Sequence, residues 1–384
     1  MIENYTRSLS LPTAGTETFF LWGPRQAGKS TLLRDTYPTA LWIDLLKTDE
    51  YRRFLQNPEL IREMVEYKTA SFVVIDEIQK VPALLNEVHW LLEHRSVHFA
   101  LCGSSARKIR KGNANLLGGR GVNYELYGFS AHELSGDFVL DRMLNNGYLP
   151  VFHSATKPER IQSSYVSGYL KDEIAAEGYV RNLPGYSQFL NMAALSDGEM
   201  VNFSTIARDI GVSSQTIRGY FEILEDTLLG RFLPAYRLRP KRRITTAPKF
   251  YFHDVGIVNF LARRGKLMPG SDLFGKAFEN WIFHELYTFN MYKERYAEFF
   301  FWHLSGGTEV DFLVNHIDCA IECKATQKVQ SEHLKGLRQL TIDHPEVKRC
   351  LIVSLDPKNR RTEDGIDIVD YHEFIRLLWG GELF

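Results

Sequence analysis

Eight consecutive residues, Gly23-Pro24-Arg25-Gln26-Ala27-Gly28-Lys29-Ser30, combine two glycines with a closing Lys-Ser pair, and they stand between the apolar run Phe19-Phe20-Leu21-Trp22 and Thr31-Leu32-Leu33. A buried strand that enters such a loop and leaves it as a helix aims converging backbone N–H groups and the positive helix end at one point. A phosphate suits that point. Gly23 through Thr31 are therefore the expected nucleotide-binding residues, with Lys29 reaching the β- and γ-phosphates of ATP and Ser30 ligating Mg2+.

Phe72-Val73-Val74-Ile75-Asp76-Glu77 is apolar up to two carboxylates, the pattern of a parallel strand buried on both faces with its acidic end at the active edge. Asp76 is expected to hold Mg2+, directly or through water, and Glu77 to align and polarise an attacking water. The next strand, His98 to Gly103, ends in Ser104-Ser105. Their hydroxyls either sense the γ-phosphate or cap the following helix, and the sequence leaves both roles open. Arg120, in Gly118-Gly119-Arg120-Gly121, is expected to stabilise a γ-phosphate, in its own chain or, in a homo-oligomer, from a neighbouring subunit, the alternative being a solvated loop arginine. Arg107 and Arg110 are weaker candidates for the same role.

In this order, the octet, Val-Ile-Asp-Glu-Ile-Gln, Cys-Gly-Ser-Ser-Ala and Gly-Gly-Arg resemble the prokaryotic AAA+ ATPases that carry a distinctive carboxy-terminal domain. The resemblance covers nearly the whole chain. It implies that Gly147-Tyr148-Leu149-Pro150 and Tyr169-Leu170-Lys171-Asp172-Glu173-Ile174 belong to a helical lid after the ATPase core.

A second group of chemically capable residues lies far downstream. Asp311 is followed by Glu322-Cys323-Lys324, and strand alternation puts Glu322 and Lys324 on one face. The expected frame is a helix from Phe274 to Met291 carrying Glu279, strands at 299–304, 309–314 and 319–324, a helix at 332–340 and a strand at 350–355. This resembles the core of the restriction-endonuclease-like nucleases. That resemblance makes Asp311, Glu322 and Glu279 metal ligands and Lys324 a catalytic residue that orients water or neutralises the transition state. A surface polar cluster including His303 and Glu309 is the competing expectation.

Between the two groups, 203–221 has helix-turn-helix periodicity, with Ser214, Gln215 and Arg218 exposed on the second helix. Arg237, Arg239, Lys241, Arg242 and Arg243 then crowd a short stretch like the basic hairpin of a winged helix. The 384 residues, 44% hydrophobic and 24% charged, are enough for several cores. A net charge of −1 excludes a globally basic nucleic-acid binder and leaves only local patches. The four cysteines lie in apolar runs without metal spacing, and no leader or membrane span is visible, so a cytoplasmic location is expected.

The expected architecture is α/β: a P-loop AAA+ core (1–130), a helical lid (131–185), a winged helix (186–250) and a restriction-endonuclease-like domain (251–384). The expected function is an ATP-binding and ATP-hydrolysing protein acting on or with duplex DNA. The alternative is a nucleotide-controlled switch that docks a protein partner and carries an inactive nuclease-like domain.

Overall fold

The computed structural model describes residues 5–105, 117–170, 180, 182–237, 247–304 and 306–384. Arg107, Arg110, the segment from Lys171 to Ile174, and Arg239, Lys241, Arg242 and Arg243 lie outside the described residues.

Strands β1 (Phe19–Trp22), β2 (Leu41–Asp44), β3 (Phe72–Asp76), β4 (His98–Gly103) and β5 (Val122–Glu125) form a parallel sheet in the order β2-β3-β4-β1-β5. Every residue of β1 and β3 is buried, as the uninterrupted apolar runs require of strands covered on both faces. Because β4 lies between β1 and β3, the chain leaving β4 emerges between the octet and Asp76. Helix Lys29–Thr36 follows the octet, with Gly28 at φ 94° forming its left-handed N-cap.

The middle of the chain is helical up to a short hairpin. Helices Leu140–Asn146, Pro150–His153 and Pro158–Ser164 lead into a π-helical turn, Tyr165–Leu170. Helices Leu183–Leu195, Phe203–Ile210 and Ser214–Asp226 follow, and then β6 (Gly230–Leu233) pairs antiparallel with β7 (Lys249–Phe252). Asn202 and Ser213 cap the second and third of these helices with side-chain oxygens. Gly211, at φ 76°, makes the left-handed turn between them. Ile206, Ile217 and Phe221 point inward, which leaves Gln215 and Arg218 exposed.

The last third packs a long helix, Asp272–Tyr292, against a six-stranded sheet. Its strands are β8 (Phe299–His303), β9 (Glu309–Val314), β10 (Cys319–Lys324), β11 (Arg349–Ser354), β12 (Arg360–Arg361) and β13 (Ile366–Asp370), in the order β12-β13-β11-β10-β9-β8. Strands β8, β9 and β10 are antiparallel, and helix Lys335–Asp343 makes the crossover to the parallel β11. Strands β12 and β13 and the closing helix Tyr371–Trp379 were not expected from the sequence.

One apolar cluster runs through all three parts, from Phe19 and Leu126 through Tyr148 and Phe221 to Phe312 and Val353. A buried carboxylate ties the middle segment together. Asp254 accepts from the backbone N–H groups of Tyr148, Leu149, Gly256 and Ile257, joining the Gly-Tyr-Leu-Pro turn to helix Val255–Leu261. All four cysteines are buried thiols. Among the described residues, no helix is long and apolar enough to cross a membrane.

Candidate functional site

The octet forms a concave loop at the carboxyl end of β1. Gly23 is required there by close approach, since a Cβ would stand 2.4 Å from the Leu126 carbonyl oxygen. Gln26, at φ 64°, and Glu77, at φ 63°, both adopt the left-handed conformation, a cost that non-glycine residues bear where the surrounding structure imposes it. Lys29 is buried, and its Nζ donates to the carbonyl oxygens of Gly23 and Pro24 at 2.8 and 3.0 Å. The ammonium is therefore held over the loop by the loop itself.

The Ser30 hydroxyl donates to Asp76 Oδ2 at 2.6 Å, while Asp76 Oδ1 is buried without a hydrogen-bond partner. A hydroxyl beside an orphaned carboxylate oxygen is a donor set that fits Mg2+, which takes few protein oxygens and keeps the rest of its shell for water and phosphate. Ser104 and Ser105 are both buried at the end of β4, beside Asp76 as the parallel register of β3 and β4 requires.

Gln79 carried no role in the sequence analysis, yet it connects this edge. Its Nε2 donates to Glu77 Oε2 and, at 3.0 Å, to Ser104 Oγ. The signal was present as the Gln closing Val-Ile-Asp-Glu-Ile-Gln, but only the fold brings it to Ser104.

Arg7 was also missed, and nothing in the local sequence marks it. Its guanidinium is buried and donates to the carbonyl oxygens of Ala27 at 2.7 Å and Tyr127 at 2.6 Å, to Glu133 Oε1 at 3.0 Å, and to the Tyr292 hydroxyl at 3.1 Å. The phosphate-binding loop is thus tied directly to the end of the long carboxy-terminal helix. On the other side of the loop, the Tyr165 hydroxyl donates to the Arg25 carbonyl at 3.3 Å, and the Arg25 guanidinium lies 5.2 Å from the Tyr169 ring centroid.

Arg120 does not join this site within one chain. It precedes β5 at the amino end of the sheet, level with the start of β1, whereas the loop is at the carboxyl end, about 13 Å of strand away. Its guanidinium pairs with Glu93 at 3.1 Å and contacts His89 at 3.3 Å on helix Leu84–His94.

The carboxy-terminal group is brought together as expected, with two additions. Glu279, Asp311, Glu322 and Lys324 share one neighbourhood, joined by Glu309 and by Lys249 from β7. Lys249 Nζ lies 3.2 Å from Glu279 Oε1, 3.5 Å from Glu309 Oε1 and 3.9 Å from Asp311 Oδ1. Lys324 Nζ lies 2.6 Å from Glu322 Oε1. Asp311 Oδ2 accepts from the Cys323 N–H at 2.8 Å, and Glu279 Oε1 also accepts from the Tyr251 hydroxyl at 2.5 Å.

Burial pushes the Asp311 carboxyl well above the usual carboxylate range, with Glu322 and Glu279 adding to it. Burial likewise raises Glu322 to about 6, against the pull of Lys324. Burial opposes the Lys249 charge, but Glu279, Asp311 and Glu309 together hold its ammonium above the ordinary lysine range.

These contacts set ammonium groups against the expected metal ligands. Among the described residues, no three His, Cys, Asp or Glu side chains are arranged to hold a metal ion, and the position facing Glu279, Glu309 and Asp311 is taken by an ammonium. Glu279 and Asp311 thus face the Lys249 ammonium, and Lys324 is engaged by Glu322. Glu309 belongs to the cluster, whereas His303 pairs with it only in the β8–β9 register.

Comparison with known proteins divides the chain in three. Residues 16–135 match an AAA domain, residues 138–267 a domain of unknown function (DUF8612) and residues 274–374 another domain of unknown function (DUF4143). Uncharacterized proteins of Mycobacterium bovis and Mycobacterium tuberculosis are each 26% identical over 249 residues, covering 63% of this chain and 55% of theirs. An uncharacterized protein of Haemophilus influenzae is 25% identical over 297 residues, covering 69% and 72%. The match thus spans about half the length of the mycobacterial relatives. The Aeropyrum pernix Orc1 protein, solved in complex with DNA, is similar at 12% identity over 65% of this chain and 87% of that one, with a TM-score of 0.24. The parallel sheet, the octet and the Ser30–Asp76 pair lie within the first match, and residues 16–135 are accordingly a nucleotide-binding domain of the AAA type.

Proposed function

We propose that this protein is an ATP-hydrolysing, Mg2+-dependent switch of AAA+ type whose nucleotide state governs the middle and carboxy-terminal parts, and that these parts act on duplex DNA. The observation that carries the ATPase reading is the pairing of Ser30 with Asp76 beneath a loop whose lysine is already poised over it. Mg2+ held by Ser30 and Asp76 would neutralise charge on the phosphate oxygens. Lys29 exchanges the Gly23 and Pro24 carbonyls for phosphate oxygens. Glu77, steadied by Gln79, orients a water and takes its proton as the water oxygen bonds to the γ-phosphorus and ADP leaves. Ser104, on the same glutamine, senses the γ-phosphate, with Ser105 beside it.

The division at 1–130, 131–185, 186–250 and 251–384 is proposed with it, the third part as a winged helix and the fourth as a nuclease-like fold. Arg120 acts in trans in a homo-oligomer, since its own loop is at the opposite end of the strands. The exposed Gln215 and Arg218, on a helix capped by Ser213, support DNA contact.

Lys29→Ala is expected to abolish ATP turnover in a phosphate-release assay, and unchanged turnover would remove the site. Duplex binding followed by fluorescence anisotropy is expected to weaken about tenfold in Gln215→Ala/Arg218→Ala, with a shallower salt dependence. Unchanged affinity, or none in the parent, favours a protein-docking switch.

A further inference from the structure

We propose that Lys249 is a built-in cation that holds the place a divalent ion would occupy in the carboxy-terminal acidic cluster, so that this site binds no Mg2+ or Mn2+ and instead fastens the β6–β7 hairpin to the last domain. Three carboxylates from two elements converge on its Nζ: Glu279 on the long helix, and Glu309 and Asp311 on β9. The Phe301 ring, its centroid 5.5 Å away, adds a fourth wall. The lysine side chain is 4% exposed.

Its backbone is also held, paired with Leu233 in the β6–β7 ladder and bridged to Met200. Further oxygens of the cluster are engaged by other donors. Lys324 takes Glu322 Oε1, the Cys323 N–H takes Asp311 Oδ2 and the Tyr251 hydroxyl shares Glu279 Oε1.

The cluster is open to solvent on one side. A cavity of about 460 Å3, lined by Asp197, Glu199, Met200 and Lys276, opens onto Lys249, Glu279 and Glu309, so a hydrated ion can reach the cluster. What it lacks is room among ligands already satisfied by an ammonium. Mg2+ asks for about six oxygens at roughly 2.1 Å and dehydrates reluctantly, so displacing a tethered cation is unfavourable. One carboxylate oxygen, Glu322 Oε2, is buried without a partner, and Asp311 Oδ1 is met only by Lys249 at 3.9 Å. Neutralising Lys249 releases Asp311 Oδ1, which with Glu322 Oε2 then offers two oxygens to a metal.

The test is Mn2+ binding by the full-length chain without nucleotide, read from the electron paramagnetic resonance signal of the free ion. Wild type and Asp311→Asn are expected to bind the same number of ions, whatever the phosphate-binding loop contributes. Lys249→Met, which keeps the apolar stem, is expected to bind one more ion per chain, and Lys249→Met/Asp311→Asn to lose it. The proposal fails if wild type binds one more Mn2+ than Asp311→Asn, or if a folded Lys249→Met, checked by circular dichroism, gains none. Should Lys249→Met not fold, the comparison of wild type with Asp311→Asn decides alone. Duplex and single-stranded DNA incubated with wild type and Mn2+ are expected to stay intact, and cleavage that disappears in Asp311→Asn would overturn the assignment independently of the ATP site.

Discussion

The two acidic centres of this chain are built from the same residue types and differ in what satisfies them. In the amino-terminal site Lys29 rests on backbone carbonyls and leaves Asp76 Oδ1 without a partner. In the carboxy-terminal cluster Lys249 and Lys324 rest on the carboxylates themselves. A lysine bonded to carbonyls is easily drawn off by phosphate, because neutral acceptors hold a cation less strongly than charged ones. A lysine buried among carboxylates is part of the structure, since removing one partner leaves an uncompensated charge. Each centre keeps a buried carboxylate oxygen without a partner, Asp76 Oδ1 in the first and Glu322 Oε2 in the second, but only in the second do the carboxylates already hold an ammonium among them.

Glu77→Gln tests the first centre with the largest expected effect. It should keep ATP binding and lower turnover by about 10^2 to 10^4, the usual contribution of a positioned base. Equal turnover in single-cycle kinetics would break the contrast, because Glu77 would then be as structural as Glu279.

Arg7→Ala probes the connection between the two regions. It leaves Glu133 without its buried partner and frees the Ala27 carbonyl, so a loss of about 3–5 kcal/mol is expected in urea unfolding. An unchanged midpoint would mean that the loop is not anchored by the amino-terminal arm.

The smallest effect sharpens the contrast through pH. Burial raises Asp197 and Glu285 to about 7 and Glu322 to about 6. The folded chain keeps these protons over a range in which the unfolded chain has released them, so these groups make stability fall as pH rises from about 4 to 7. Thermal midpoints at pH 5 and pH 8 should differ by a few degrees less in Asp197→Asn than in wild type. An identical difference would show that Asp197 does not contribute to the slope.

Patterns confined to a few neighbouring residues were readable in advance. The octet between an apolar strand and a helix, the β-branched run ending in Asp76-Glu77, and the capped helices around Gly211 all appear where sequence places them, because each depends on local spacing and burial. The expected frame of the last domain also appears, but β12, β13 and helix Tyr371–Trp379 do not announce themselves in so short and mixed a pattern.

Sequence by itself determined that the chain offers a phosphate-binding loop, an acidic strand end and a distant set of carboxylates and lysine. Tertiary structure decided their partners. Gln79 reaches Ser104 only because β4 lies between β1 and β3. Arg7 reaches Ala27 and Tyr292 across separations of 20 and 285 residues. Lys249, 62 positions before Asp311 in the chain, faces it only because β7 packs against the long helix and β9. Residue type sets what chemistry is available, but whether a carboxylate is open to a metal depends on which cation the fold brings within 3 to 4 Å of it.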